Sequence, residues 1–193
     1  MKIDIVLAGV GGQGILSIST VIGLAAVNKN LYIKQSEVHG MSQRGGAVYA
    51  HLRFSDQPID SDLIPLGKAD IVLSVEPMEA LRYISYMKPN GWLVTNMQPF
   101  VNISNYPDHQ SLISRLKELP NCVLVDADAL SSECGSTKFS NMVILGAAIP
   151  FINIEIHEIE KAISSIFEKK GDDVVAMNIR ALHAGYNFSK FQS

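Results

Sequence analysis

Apolar residues recur along this chain in two rhythms, and the alternation between them outlines the fold. Ile3 to Ala8 is a continuous apolar run broken only by Asp4, the signature of a buried strand. From Gly14 to about Asn28 the spacing changes, with Ile15, Ile18, Ile22 and Ala25 or Ala26 on one face of a predicted helix. A second strand is predicted over 31–36. Over 47–54, Val48, Ala50, Leu52 and Phe54 alternate with Tyr49, His51 and Arg53, which predicts a strand with one polar face. Ser55-Asp56-Gln57-Pro58 ends it as a turn. Ala69 to Val75 reads as another buried strand, and Glu76-Pro77 opens a helix because proline is tolerated in a first turn. Pro89-Asn90-Gly91 stops that helix before a strand over 92–95. The stretch 96–107, polar with two prolines, is predicted to be irregular; a helix over 108–118 and a strand over 122–126 follow. Beyond 139 only helices are predicted. Residues 140–149 form a buried one, Ile156, Ile159 and Ile163 stripe a second, and Val175, Ile179, Leu182 and Tyr186 stripe a third. Strands alternating with helices predict an α/β class: a Rossmann-like three-layer sandwich with a mixed, mostly parallel sheet and a helical C-terminal region. The expected organisation is a single domain over 1–193, its core sheet in about 1–135 and its helical part in about 139–190.

Composition narrows the function classes. Hydrophobic residues make up 47% and charged residues 18%, enough for a sizeable core. A net charge of -3 gives no general basic surface for nucleic acid or an anionic membrane. Cys122 and Cys134 form no CxxC pattern, so neither a zinc site nor a cysteine-ligated cluster is expected in this chain, and reduced thiols are. The run Met142 to Ile152, interrupted by Gly146 and Pro150, is too short to span a bilayer. Asp4 sits where a signal peptide needs its apolar centre, so a cytoplasmic location is expected.

The chemistry-bearing residues gather in two glycine-rich loops, each following a strand. The first, Gly9-Val10-Gly11-Gly12-Gln13-Gly14, meets the GxGxxG pattern between a strand and a helix. Glycine permits the tight turn and lets backbone N–H groups approach an anion, which the helix N-terminus also favours. Glu37, near the end of strand two, stands where dinucleotide folds place a ribose-binding acid. Gln13 is unusual inside that fingerprint, and a second glycine loop follows where such folds turn into a helix. That loop is Ser36-Glu37-Val38-His39-Gly40-Met41-Ser42-Gln43-Arg44-Gly45-Gly46. Loops after consecutive strands of a parallel sheet emerge at the same edge, so the two are expected side by side. Arg44 presents a planar donor fork suited to a carboxylate or phosphate, with Glu37 and His39 as potential partners.

Gly9 to Leu16 resembles the start of the gamma subunit, or gamma domain, of 2-oxoacid:ferredoxin oxidoreductases. Ser36 to Gly46 narrows the likeness to the beta subunit of the indolepyruvate-specific members; relatives acting on pyruvate or 2-oxoglutarate carry different residues at His39 to Gln43. The resemblance implies an oxidoreductase complex that converts aryl 2-oxoacids, coenzyme A and oxidised ferredoxin to arylacetyl-CoA, carbon dioxide and reduced ferredoxin. It implies thiamine diphosphate, magnesium and [4Fe-4S] clusters in a partner alpha subunit, none of them in this chain, and an alpha2beta2 heteromer in which this chain alone is inactive. Gly11, Gly12, Gln13 and Gly14 are then candidates for an anion, coenzyme A or the interface. Glu37, His39, Ser42, Gln43, Arg44, Gly45 and Gly46 are candidates for the interface or substrate. Two alternatives stay open: a free-standing Rossmann-type nucleotide-binding protein, and the gamma subunit of a complex for a different 2-oxoacid.

The other candidates read as structural. His157-Glu158-Ile159-Glu160 lacks the second histidine of a zinc site and begins an amphipathic helix. Asp126 and Asp128 suit a helix cap better than a magnesium site. His51 and Arg53 stand either on a plain surface or beside the Arg44 patch. Ser17, Ser19 and Ser42 have no nucleophile elbow.

Overall fold

A computed structural model of the protein describes residues 1–39 and 45–190, with His39 described by its backbone. The strands are β1 (Lys2–Val10), β2 (Tyr32–His39), β3 (Ala47–Ser55), β4 (Ala69–Ser74), β5 (Met87–Asn96) and β6 (Cys122–Val125). The helices are α1 (Ile15–Asn28), α2 (Pro77–Tyr83), α3 (His109–Lys117), α4 (Ala127–Glu133), α5 (Ser140–Ile152), α6 (Ile156–Phe167) and α7 (Asp172–Lys190). One sheet orders the strands β2-β3-β1-β4-β5-β6. Only β3 runs against the rest; β1, β4, β5 and β6 are mutually parallel. The mixed, mostly parallel α/β fold expected from the sequence is the fold observed.

Alternate side chains along β1 and β4 split the core. Ile5, Leu7, Ile71 and Leu73 meet α1, α5, α6 and α7 on one face. Val6, Val72 and Leu93 meet α2 and α3 on the other. Each fully buried aliphatic side chain contributes roughly 1.5–3 kcal/mol. The helix after β1 therefore covers one face and the helix after its neighbour β4 the opposite face. Such a reversal opens a crevice beyond the strand ends.

Three differences from the sequence reading have physical causes. β2 runs on to His39, because the β2–β3 ladder continues from Tyr32↔Ser55 to His39↔Val48. β5 begins at Met87 rather than 92: its pairing with β4 skips from Met87 to Trp92, so Pro89-Asn90-Gly91 bulges within the strand. His51 and Arg53 lie on neither a plain surface nor the loop patch. The loop 56–68 and the rings of Tyr83 and Tyr86 cover that face, leaving His51 4% and Arg53 8% exposed. Arg53 Nε donates to Asp4 Oδ1 at 2.8 Å and Nη2 to Asp4 Oδ2 at 3.1 Å, across the directly paired β1 and β3 positions. Its Nη1 donates to the carbonyls of Ser61 and Leu63, so one guanidinium ties the covering loop to the sheet. Among the described residues no helix is long and apolar enough to cross a membrane.

Candidate functional site

The two glycine loops meet because β1 and β3 are neighbours. Gly11 N–H donates to Gly46 O at 2.8 Å and Gly45 N–H to Gly11 O at 3.3 Å, carrying the ladder past the strand ends. Gln13 closes the first loop on itself: its Oε1 accepts from Val10 N–H at 2.8 Å, and its own N–H donates to Val10 O at 3.1 Å. Gly14 has φ +82°, and a Cβ there would stand 2.4 Å from Asn141 Nδ2. The positive φ calls for glycine, whereas the Asn141 amide, the end of a flexible side chain, would have to move aside. Asn141 Nδ2 donates to Gly14 O at 3.3 Å, joining the start of α1 to the start of α5. Neither helix start has a side-chain cap. The N–H groups of Gly12 and Gly14 find no acceptor among the described residues.

These parts open on a cleft of about 230 Å³ at the strand-end edge, in the crevice between β1 and β4. Gly12 and Gln13 form one wall, and Asn96, Gln98 and Phe100 another. Lys138, Ser140, Asn141 and Asp128 complete it. Asn96 and Gln98 are held from behind. Asn96 Oδ1 accepts from Ala127 N–H at 3.1 Å, and Gln98 Nε2 donates to Asp126 Oδ2 at 2.9 Å. Asp126 also caps α4 by accepting from Ala129 N–H at 3.0 Å, the role its position suggested. Lys138 and the amides of Gln98 and Asn141 give the cleft donors for a small anionic group, set against the Asp128 carboxylate on the same lining; the uncapped start of α1, carrying roughly half a positive charge, lies beside it at Gly14, Ile15 and Leu16, while at the start of α5 Ser140 N–H already donates to Thr137 O. A second, shallower hollow of about 260 Å³ lies across the first loop, against Ile15, Leu16 and Val48.

One buried acid shapes the far wall. Glu76 is fully buried at the start of α2, its Oε2 accepting from Glu79 N–H at 2.8 Å. Its Oε1 accepts from Phe100 N–H at 3.3 Å and from the Tyr106 hydroxyl. Burial and that bond raise the Tyr106 pKa. Asn102 Nδ2 donates to Gly45 O at 2.7 Å, and His109 Nε2 bonds Met97 O at 2.8 Å. The segment 97–107 is thus strapped over the cleft edge at several points. Nearby, Glu79 is raised in pKa chiefly by burial, with Arg82 opposing from 3.1 Å. Burial and Glu79 push the Tyr83 hydroxyl up to about 12.

Of the residues singled out in the sequence, Gly11, Gly12, Gln13, Gly14, Gly45 and Gly46 come together. Glu37 lies on the edge strand β2, where it accepts from Gln35 Nε2. β3 separates β2 from β1, so Glu37 stands two strands from the first glycine loop, roughly 9–10 Å at the usual strand spacing. A ribose-binding acid belongs on the strand beside β1; the inserted hairpin takes that place. Ser42, Gln43 and Arg44 fall outside the described residues, as does the His39 side chain. Asn96, Gln98, Lys138, Asn141 and Glu76 join the site without having been marked by any motif; the one hint was the polar, proline-bearing stretch at 96–107. Among the described residues no three His, Cys, Asp or Glu side chains are grouped as metal ligands would be.

Residues 4–188 match the model of the family described as pyruvate ferredoxin/flavodoxin oxidoreductase. The chain is 34% identical to the indolepyruvate oxidoreductase subunit IorB of Archaeoglobus fulgidus, over 97% of this chain and 95% of that one. It is 36% identical to the IorB subunit of Pyrococcus horikoshii, over 97% and 96% respectively. Among solved structures, it superposes on pyruvate oxidoreductase subunit PORC of Thermotoga maritima with a TM-score of 0.74 at 22% identity, covering 96% of each chain. It also superposes on 2-oxoglutarate:ferredoxin oxidoreductase of Magnetococcus marinus, solved with 2-oxoglutarate, coenzyme A and succinyl-CoA bound. There the TM-score is 0.79 at 22% identity, and all of this chain matches 32% of the larger polypeptide.

Proposed function

Because this chain belongs to the pyruvate ferredoxin/flavodoxin oxidoreductase family, we propose that it is the beta subunit of a ferredoxin-dependent indolepyruvate oxidoreductase and that its cleft takes the phosphate end of coenzyme A. The complex oxidises an aryl 2-oxoacid: the bond to the carboxylate breaks, carbon dioxide leaves, and the acyl group forms a thioester with coenzyme A. Two electrons pass to two ferredoxins, and the thiol proton is released. Thiamine diphosphate with magnesium supplies the decarboxylation chemistry, and [4Fe-4S] clusters carry the electrons. Both are assigned to a partner alpha subunit in an alpha2beta2 complex working in the cytoplasm. The present chain binds, orients and docks.

The observation that carries the coenzyme A assignment is the cleft between β1 and β4. Lys138 lines it with the amides of Asn141 and Gln98 and with Gly12 and Gln13 of the first loop, next to the uncapped start of α1 and against one acid, Asp128. At about 230 Å³ it accommodates a phosphate group and its immediate linkage, not a whole cofactor. The IorB relatives support an aryl substrate, and the coenzyme A bound in the M. marinus structure supports the ligand class. The nucleotide-binding alternative loses its main support, since Glu37 lies two strands from the glycine loop.

The test is to co-express the chain with its large partner and assay the purified heteromer with indolepyruvate, phenylpyruvate, pyruvate and branched-chain 2-oxoacids. Coenzyme A-dependent ferredoxin reduction, fastest with an aryl pyruvate, is the expected outcome. Recovery of the chain alone, or tight binding of NAD or FAD by it, would overturn the reading.

A further inference from the structure

We infer that Asp128 makes the cleft selective for a phosphate ester with a hydroxyl next to its phosphate, and that the Asp128 carboxylate takes that hydroxyl. The inference rests on the coenzyme A reading above and deepens it, since on the ribose of coenzyme A one free hydroxyl adjoins the phosphate. Most polar groups of the cleft wall have partners behind it. Asn96 Oδ1 accepts from Ala127 N–H at 3.1 Å and from Gln98 N–H at 3.3 Å, which leaves its NH₂. Gln13 Oε1 accepts from Val10 N–H, which leaves its NH₂ as well. Gln98 and Asn141 each give an N–H away, to Asp126 and to Gly14, and keep an oxygen. Asp128 differs from all of these. Among the described residues its side chain makes no hydrogen bond and no ion pair, not even with Lys138, although both line the cleft. It is not needed to cap α4 either, because Asp126 does that.

The chemistry of the two charged groups selects the ligand. Lys138 only donates, and an ionised carboxylate only accepts. A bare phosphate dianion also only accepts. It satisfies Lys138 and the amides of Gln13 and Asn96, but it sets its charge against Asp128. A hydroxyl beside the phosphate resolves the conflict: the phosphate faces Lys138 and the amides, and the hydroxyl donates to Asp128. That bond is charge-assisted, roughly twice as strong as a neutral one. Asp128 thus disfavours an inorganic anion and favours the ester. At about 230 Å³ the cleft has room for a phosphate and its immediate linkage, which includes that hydroxyl.

The purified heteromer reduces ferredoxin with indolepyruvate and coenzyme A while a competitor is added: adenosine 3′,5′-bisphosphate, its 2′-deoxy form, or inorganic pyrophosphate. The two bisphosphates differ by one hydroxyl. In the unaltered heteromer the ribose form is expected to compete about tenfold better than the deoxy form, as for a hydrogen bond to a charged group. Asp128→Ala is expected to bring that ratio to about one and to tighten pyrophosphate inhibition about threefold or more. Asp128→Asn keeps an acceptor at similar size, so it tightens pyrophosphate likewise but retains part of the ratio. A fault in folding or assembly does not move the ratio of two ligands on one protein. Equal competition by the two bisphosphates in the unaltered heteromer, or a ratio that survives Asp128→Ala, overturns the role of Asp128 and leaves coenzyme A binding intact. Pyrophosphate inhibition unchanged in both variants overturns it too. If no competitor raises the KM for coenzyme A in the unaltered heteromer, the phosphate end is not held in this cleft and both readings fall.

Discussion

Replacing Glu76 by Gln removes one charge from a fully buried carboxylate that serves three donors: Glu79 N–H, Phe100 N–H and the Tyr106 hydroxyl. A carboxylate offers two acceptor oxygens, one toward α2 and one toward the strap. Glutamine offers one. Either orientation turns the amide NH₂ toward a backbone N–H, and a buried donor left without an acceptor costs about 1–3 kcal/mol. A loss near 2 kcal/mol corresponds to a fall in Tm of about 4–8 °C for a chain of this length. Glu76→Asp separates the two jobs. Aspartate is a good helix cap and keeps Glu79 N–H, but its shorter stem withdraws from Phe100 and Tyr106. The Asp variant, which also leaves buried donors without an acceptor, is expected to melt about 4–8 °C below the unaltered heteromer, to lose amide-exchange protection at Phe100 while keeping it at Glu79, and to raise the KM for coenzyme A. Hydrogen exchange resolved across 97–107 is the assay. If both variants keep the original protection at Phe100, Glu76 does not hold the strap and the reasoning fails.

Other outcomes follow from the same geometry. Asp4→Ala strands the Arg53 guanidinium in the interior and is expected to cost about 3–5 kcal/mol in denaturant unfolding, whereas Asp4→Ala with Arg53→Met costs less than the sum of the single changes. Gly14→Ala forces a side chain into left-handed backbone at about 1–2 kcal/mol and displaces Asn141, so both melting temperature and coenzyme A affinity fall. His51 accepts from Ile64 N–H through Nδ1, and burial, then Arg53, holds its pKa below 6.5. The unfolded chain therefore binds the extra proton first. The contribution of neutral His51 is complete above pH 6.5 and is lost as pH falls toward the folded-state pKa. His51→Asn, which keeps an acceptor for Ile64, flattens that part of the stability–pH curve, as measured by thermal melts from pH 5 to 8.

How much of this was legible in the sequence depended on whether the signal was local. The glycine loops were, because Gly14 must adopt positive φ and its spacing from β1 shows it. The buried helix at 140–149 was, because its residues are apolar all round. Alternation over 47–54 correctly gave a strand, but a period of two cannot tell a face that meets water from one covered by a polar-lined loop. His51 and Arg53 therefore read as surface when they are sealed beneath 56–68. Glu76 could be read as opening a helix; its hold on Phe100 and Tyr106 could not, since those partners come from a separate segment with no pattern of its own. Asn96, Gln98 and Asn141 are single amides whose meaning comes only from three strand and helix ends converging. The strand order was equally silent, since a hairpin inserted beside β1 leaves no mark on local periodicity.

The account turns on an anion held in the cleft between the first glycine loop and Lys138, Ser140 and Asn141. The most direct measurement is the KM of the purified heteromer for coenzyme A and for indolepyruvate, separately, in Asn141→Asp and Asn141→Ser. The Asp variant sets a carboxylate in the cleft beside Lys138; two unit charges 4 Å apart at an effective dielectric of 20 repel by about 4 kcal/mol. A rise in the coenzyme A KM of tenfold or more, about 1.4 kcal/mol, is predicted for Asp. A smaller rise is predicted for Ser, which loses the Gly14 contact without adding charge, and the indolepyruvate KM stays unchanged in both. An unaltered coenzyme A KM in the Asp variant, or a shift confined to indolepyruvate, would contradict it.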